Sequence, residues 1–142
     1  PPLSRSYSLK VCGSICDDAI VSAARGVEPL GHVPDLAAEY AKADMAINPV
    51  FMGGGLKIKT LEAMNAGLAC VTTAEGARGL TDAVPHALHV AEDKISYIDA
   101  LIALAADPDR RLAMGNAARA YIERHFSPEV GFADIRTFLG HI

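Results

Sequence analysis

Between Phe51 and Thr73 the sequence crowds three glycines, two lysines and a carboxylate into one short span: Gly53, Gly54, Gly55, Leu56, Lys57, Ile58, Lys59 and then Glu62. A run of glycines lets backbone approach a ligand closely and adopt angles that a Cβ forbids. The residues after it read as a helix opening near Leu56 and stopping at Gly67. The first amides of a helix lack intrahelical partners and its dipole end is positive, so the position favours an anion. Gly54, Gly55, Leu56, Lys57 and Ile58 are therefore the candidate cradle for a phosphorylated ligand. Lys57 is placed to help neutralise a diphosphate, whereas Lys59 reads as a solvated helix-face residue.

Glu62 is the informative side chain of this helix. At about 100° per residue, Ile58, Leu61, Asn65 and Ala66 form a face toward the sheet, with Glu62 between Ile58 and Ala66 and with Lys59 and Thr60 pointing away. A half-buried carboxylate needs hydrogen-bond donors, and sugar hydroxyls at the mouth of a cleft would supply them. An i, i+3 pair with Lys59 at a solvated rim is the other reading.

Other chemistries fit the spacing poorly. Gly53 to Thr60 ends in Lys-Thr, but no glycine precedes Lys59, so the P-loop spacing fails, and the dinucleotide glycine fingerprint is missing too. The net charge of −4 supplies no broad cationic field, which disfavours nucleic acid. Three cysteines, Cys12, Cys16 and Cys70, are an odd number with no matching pair or His cluster, against both a disulfide framework and zinc. Reduced, cytoplasmic thiols are the simplest reading. No run of about eighteen apolar residues is present, so no membrane span is expected, although a peripheral membrane contact stays open.

The elements that must hold the cradle alternate along the chain. A hydrophobic content of 51% against 21% charged residues fits a globular domain with its own core, and 142 residues fit one such domain. Ser8 to Ser14 reads as a strand, with a helix behind Asp17 and Asp18 ended by Gly26. Val27 to Leu30 is a second strand, and Pro29 puts it at an edge or interrupts its pairing. Asp35 is placed to cap a helix over residues 36–43, and Met45 to Asn48 is a third strand read as buried from its apolar character. The central helix leads to a fourth strand, Leu68 to Thr73, and a more exposed fifth, Ala87 to Ala91. From Lys94 the pattern is helical, with Pro108 at one helix start and Ser127-Pro128 at another. Strands and helices in this order imply a three-layer α/β/α domain with a parallel sheet.

Such sheets bind ligands at the carboxyl ends of their strands. The loops Gly31-His32-Val33, Pro49 to Leu56 and Thr73 to Gly79 are therefore expected to line one edge. His32 is a loop histidine able to stack on a ligand or simply be solvated. Gly76, in the last of these loops, reads from the residues alone as an ordinary turn glycine.

The stretch GLKIKTLEAMNAGLACVTTAEGARGL resembles the nucleotide-sugar-binding motif of group 1 retaining glycosyltransferases with the GT-B fold. In that family two glutamates stand eight positions apart, and the second holds the donor ribose hydroxyls. Leu61-Glu62-Ala63-Met64 matches the second, while Gly54 occupies the place of the first, so the contact to the transferred sugar does not carry over. The resemblance further implies that His32 and Val33 lie near the nucleotide base, offering mostly backbone groups. It also implies that bulk at Gly76 would collide with the donor. It runs more weakly from about Leu9 to Phe126 and covers only the family's C-terminal, Rossmann-like domain.

Residues 1–142 would then be the nucleotide-sugar-binding half of a GT-B enzyme of glycan biosynthesis, cytoplasmic or peripheral at a membrane. A nucleotide diphosphate sugar is its donor substrate and no cofactor is implied. The N-terminal acceptor domain is expected elsewhere in a longer protein, since the chain starts abruptly at Pro1 without Met, and residues 1–142 alone are expected to be silent in transfer. A mean hydropathy of +0.21 agrees with a surface facing a partner domain, although burial in its own core also accounts for it. Two other classes fit the scaffold: a non-catalytic nucleotide-binding or interaction module, and part of a GT-B nucleotide-sugar epimerase.

Overall fold

The computed structural model describes residues 7–127, and the chain divides into two units, Pro1–Ala38 and Glu39–Ile142. The helix expected behind Ser127 and Pro128 lies outside the described residues.

The first unit is a small β-α-β arrangement. Strand β1, Leu9–Cys12, pairs in parallel with β2, Val27–Gly31, and the register shifts between Val11 and Cys12. Between them run a 3-10 turn, Ser14–Asp17, and helix α1, Ala19–Ala23. Asp18, not Asp17, caps α1: its carboxylate accepts from the amides of Ile20 at 2.8 Å and Val21 at 3.3 Å. The helix ends at Ala24, two residues before the expected stop at Gly26, whose φ of 82° turns the chain into β2. Cys16 ties the ends of both strands, since its thiol donates to the Val11 carbonyl at 3.0 Å and accepts the Gly31 amide at 3.3 Å. Helix α2, Leu36–Tyr40, starts in this unit and ends in the next, shorter than expected; Asp35 caps it by accepting the Ala38 amide at 3.0 Å.

The second unit holds a parallel sheet of order β3-β4-β5, formed by Ala46–Asn48, Cys70–Thr73 and His89–Ala91. Parallel neighbours need crossovers. Helix α3, Ile58–Asn65, makes the one from β3 to β4. Strand β4 is central and wholly buried, paired on both sides. Strand β3, expected to be buried, is a half-buried edge of this sheet, because it pairs with β4 alone among the described residues.

Alternation along β4 divides the core into two. Cys70 packs with Ala63 and Met64 of α3 and with Ala118 and Ile122 of α5, Pro108–Phe126. Val71 packs on the opposite face with Ala100 and Leu104 of α4, Lys94–Ala106. Both faces of this sheet are covered, which is the three-layer arrangement within the unit. Asp93 and Ser96 form a capping box at the start of α4, and Asp107 caps α5 with Pro108 in its first turn.

Helix α3 ends in a Schellman turn. The Gly67 amide donates to Met64 O at 2.9 Å and the Leu68 amide to Ala63 O at 3.1 Å, with Gly67 at φ 76°. Helix α5 crosses this turn at backbone distance. A Cβ on Gly115 would stand 2.0 Å from Gly67 O, and Arg119 donates to the carbonyls of Asn65 and Ala66 left open by the helix end.

Candidate functional site

The carboxyl ends of β3 and β4 are joined by hydroxyl and amide hydrogen bonds rather than by apolar packing. Asn48, the last residue of β3, donates from Nδ2 to Thr60 Oγ1 at 2.9 Å, and Thr60 donates on to Gly76 O at 2.8 Å. From β4, Thr72 donates to Asn48 O at 2.8 Å, Thr73 donates to Val50 O, and the Gly76 amide donates to Thr73 Oγ1 at 3.1 Å. Three buried threonines are thereby satisfied, and each bond pins a loop or a helix to a strand end.

This arrangement corrects the expected helix phase. Thr60, read as pointing outward, is fully buried together with Ala63 and Met64, an i, i+3, i+4 face completed by Gly67. Ile58, read as sheet-facing, is 66% exposed, and Glu62 and Asn65 are exposed as well. The phase differs because a threonine reads as polar, whereas here its hydroxyl has both a donor and an acceptor inside the protein. Glu62 is thus a surface carboxylate one turn into α3, and it makes no side-chain hydrogen bond or ion pair among the described residues. The alternative pair with Lys59 is not formed.

The glycine loop stands directly before α3. The helix opens at Ile58, two residues later than expected, and leaves Gly54, Gly55 and Leu56 exposed in the loop. Gly53 has φ 133° and Gly55 φ 71°, conformations in which a side chain is strained. Among the described residues the amides of Gly54, Gly55, Leu56 and Ile58 donate to nothing. Phe51, Met52, Leu56 and Ile58, exposed by 74%, 85%, 44% and 66%, make the loop surface apolar around those amides.

Lys57 does not project as a free cation. Its side chain is 10% exposed; Nζ donates to Gly53 O at 2.9 Å and lies 2.8 Å from Glu75 Oε1. That ion pair is the one polar partner of the buried Glu75 Oε1 among the described residues. Arg78 meets the other oxygen of Glu75 at 2.6 Å. Lys57 foremost, with Arg78, holds the Glu75 carboxyl below the usual carboxylate range, against the opposing effect of burial.

Gly76 is buried and needs its hydrogen for reasons internal to the chain. A Cβ there would lie 1.9 Å from Thr72 Oγ1. His32 is exposed and Val33 half-buried after β2, in the first unit. Sequence reasoning missed Asn48, Thr60, Thr72, Thr73 and Glu75. The signal present was two threonines ending a buried strand and a threonine in register with Ala63, Met64 and Gly67. Among the described residues no cluster of three His, Cys, Asp or Glu side chains is placed to hold a metal ion, and no helix is long and apolar enough to cross a membrane.

Known proteins share this fold. No curated protein sequence matches the chain. Among solved structures it is similar to WaaG, described as a glycosyltransferase involved in lipopolysaccharide biosynthesis, with 23% identity and a TM-score of 0.69. The likeness covers 90% of this chain but only 37% of the WaaG chain, and at that identity it speaks for the fold, the α/β class of GT-B Rossmann-like domains expected from the sequence. The model of the family described as glycosyl transferases group 1 matches residues 3–107, well over half of the sequence, and the chain belongs to that family.

Proposed function

We propose that this chain is the donor-binding part of a glycosyltransferase that passes a sugar from a nucleotide diphosphate sugar to an acceptor. One observation carries the reading: unpaired amides at the start of α3 are followed, on the same helix, by an exposed carboxylate with no partner inside the described chain. Amides and the positive end of the helix suit the diphosphate. Glu62 stands four residues beyond Ile58, on the same side of the helix and about 6 Å further along its axis. That displacement is on the scale of the step from a diphosphate to the ribose hydroxyls, which a carboxylate accepts well.

Membership of the family supports the other parts of the assignment. With Gly54 where other members carry a glutamate, this loop offers the transferred sugar backbone and no carboxylate. His32 and Val33, assigned to the base by resemblance, belong to the other unit. The acceptor and the opposite wall of the cleft are assigned to a further domain of the protein, in keeping with the 37% of the WaaG chain that this chain spans. Transfer is accordingly assigned to the longer protein, and nucleotide binding to this part.

Calorimetric titration with UDP, GDP and ADP tests the reading. Glu62→Gln should weaken binding about ten- to hundredfold, the loss of a charge-assisted hydrogen bond, with thermal stability unchanged because the exposed side chain has no hydrogen bond or ion pair among the described residues. An unaltered dissociation constant would remove Glu62 from the site.

A further inference from the structure

A loop of glycines has no side chains to hold its shape, so something outside it must. Lys57 does this from the helix start. Its Nζ draws in the carbonyls of Gly53, at 2.9 Å, and Gly54, at 3.4 Å, and rests 2.8 Å from Glu75. Glu75 is itself fixed from behind. Arg78 holds its second oxygen, and the next residue, Gly76, is bonded at its amide by Thr73 and at its carbonyl by Thr60.

Peptide planarity gives this clamp a direction. The bonds from Gly53 to Gly54 and from Gly54 to Gly55 are trans, and in a trans unit the N–H points opposite to the C=O. A cation that gathers the Gly53 and Gly54 carbonyls to one side therefore turns the amides of Gly54 and Gly55 to the other. Those two amides donate to nothing among the described residues, and beyond the adjoining residues no atom lies within 4 Å of the position a Cβ would take on either glycine, so the ground around them is open.

We infer that Lys57 and Glu75 are positioning residues, which aim the Gly54 and Gly55 amides at an anion while the lysine stays behind the loop and never touches the ligand. The inference rests on the nucleotide-sugar reading of this loop and adds to it the role of the ion pair. The competing arrangement, in which Lys57 leaves Glu75 to meet the phosphates itself, responds oppositely to loss of Glu75.

The test uses the full chain and whichever of UDP, GDP and ADP it binds, titrated at several salt concentrations with inorganic pyrophosphate as competitor. Lys57→Met and Glu75→Gln should each weaken the nucleotide, and pyrophosphate equally, by about tenfold, the scale of one misdirected amide contact to a charged group. The double variant should be no weaker than the poorer single one, because the two act as one clamp. Lys57→Arg should restore most of the affinity, and the dependence on salt should match that of the unsubstituted chain throughout. Unchanged or tighter binding in Glu75→Gln, or a flatter salt dependence in Lys57→Met, would make the lysine a direct ligand and overturn the inference with the nucleotide reading intact. Should Lys57→Met fail to fold, Glu75→Gln decides alone by the same sign. If the unsubstituted chain binds none of the three nucleotides, the reading of the site falls first, and the inference with it.

Discussion

Gly76→Ala separates two reasons for a glycine in the loop after β4. If the hydrogen is needed only to admit a donor, the substitution should cost binding and leave the fold alone. The structure gives a different answer. The added Cβ would meet Thr72 Oγ1 at 1.9 Å and both Thr72 Cβ and Asn48 O at 3.2 Å. Thr72 is completely buried and held by its bond to Asn48 O at 2.8 Å, so it has no free direction in which to rotate. Relieving the clash breaks that bond, at about 1 kcal/mol net, and overpacks a closed site, at about 1–3 kcal/mol more. The total, about 2–4 kcal/mol, should lower the melting temperature by roughly 5–12 °C for a chain of this size. Removing the offending atom provides the control. Thr72→Ala alone should cost about 1 kcal/mol, and the double variant should be more stable than the sum of the single costs by about 1–2 kcal/mol. Urea unfolding of the four proteins measures this cycle. Additive costs, or a Gly76→Ala protein that melts like its parent while losing nucleotide, would refute the steric argument and return the glycine to the donor.

Three further outcomes are expected. Gly55→Val places a β-branched residue at φ 71°, which costs of order 1–3 kcal/mol of loop strain; since nothing lies near the site, nucleotide affinity should fall while far-ultraviolet circular dichroism stays unchanged, and full affinity would remove the loop from the site. The Glu75 carboxyl is lowered in the folded chain, so its contribution to stability should be present in full above its ordinary value of 4.5 and fade as pH falls from there through the folded value. The stability difference between the parent and Glu75→Gln, followed by urea unfolding against pH, should shrink on acidification, and a gap that widened would contradict the ion pair. Burial pushes the Cys70 thiol up to about 12, so at pH 8 a disulfide reagent should leave Cys70 unlabelled in the native chain and modify it only in denaturant, as peptide mass spectrometry would show.

Much of the site's address was legible in the sequence, because it depends on chemistry confined to neighbouring residues. Three glycines before an apolar helix, a glycine stop and a second apolar strand already imply the β-α-β unit with its helix start at a strand end, and the structure has that unit at β3-α3-β4. Caps were equally local: Asp35 and Pro108 sit where their short-range hydrogen bonding or fixed φ predicts. The turn of α3 about its own axis was not local. Ile58 and Thr60 exchange their expected sides because buried hydrogen-bond partners, the Gly76 carbonyl and the Asn48 amide, arrive from residues 16 and 12 positions away. The same holds for Lys57. Its sequence position offers a cation to a phosphate, and only the folded loop after β4, which brings Glu75 within 2.8 Å, spends that charge inside the protein. Residue type and spacing decide what a segment is able to form. Which of its polar groups remain free for a ligand is decided by partners distant in sequence, and those are fixed only when the strands have paired.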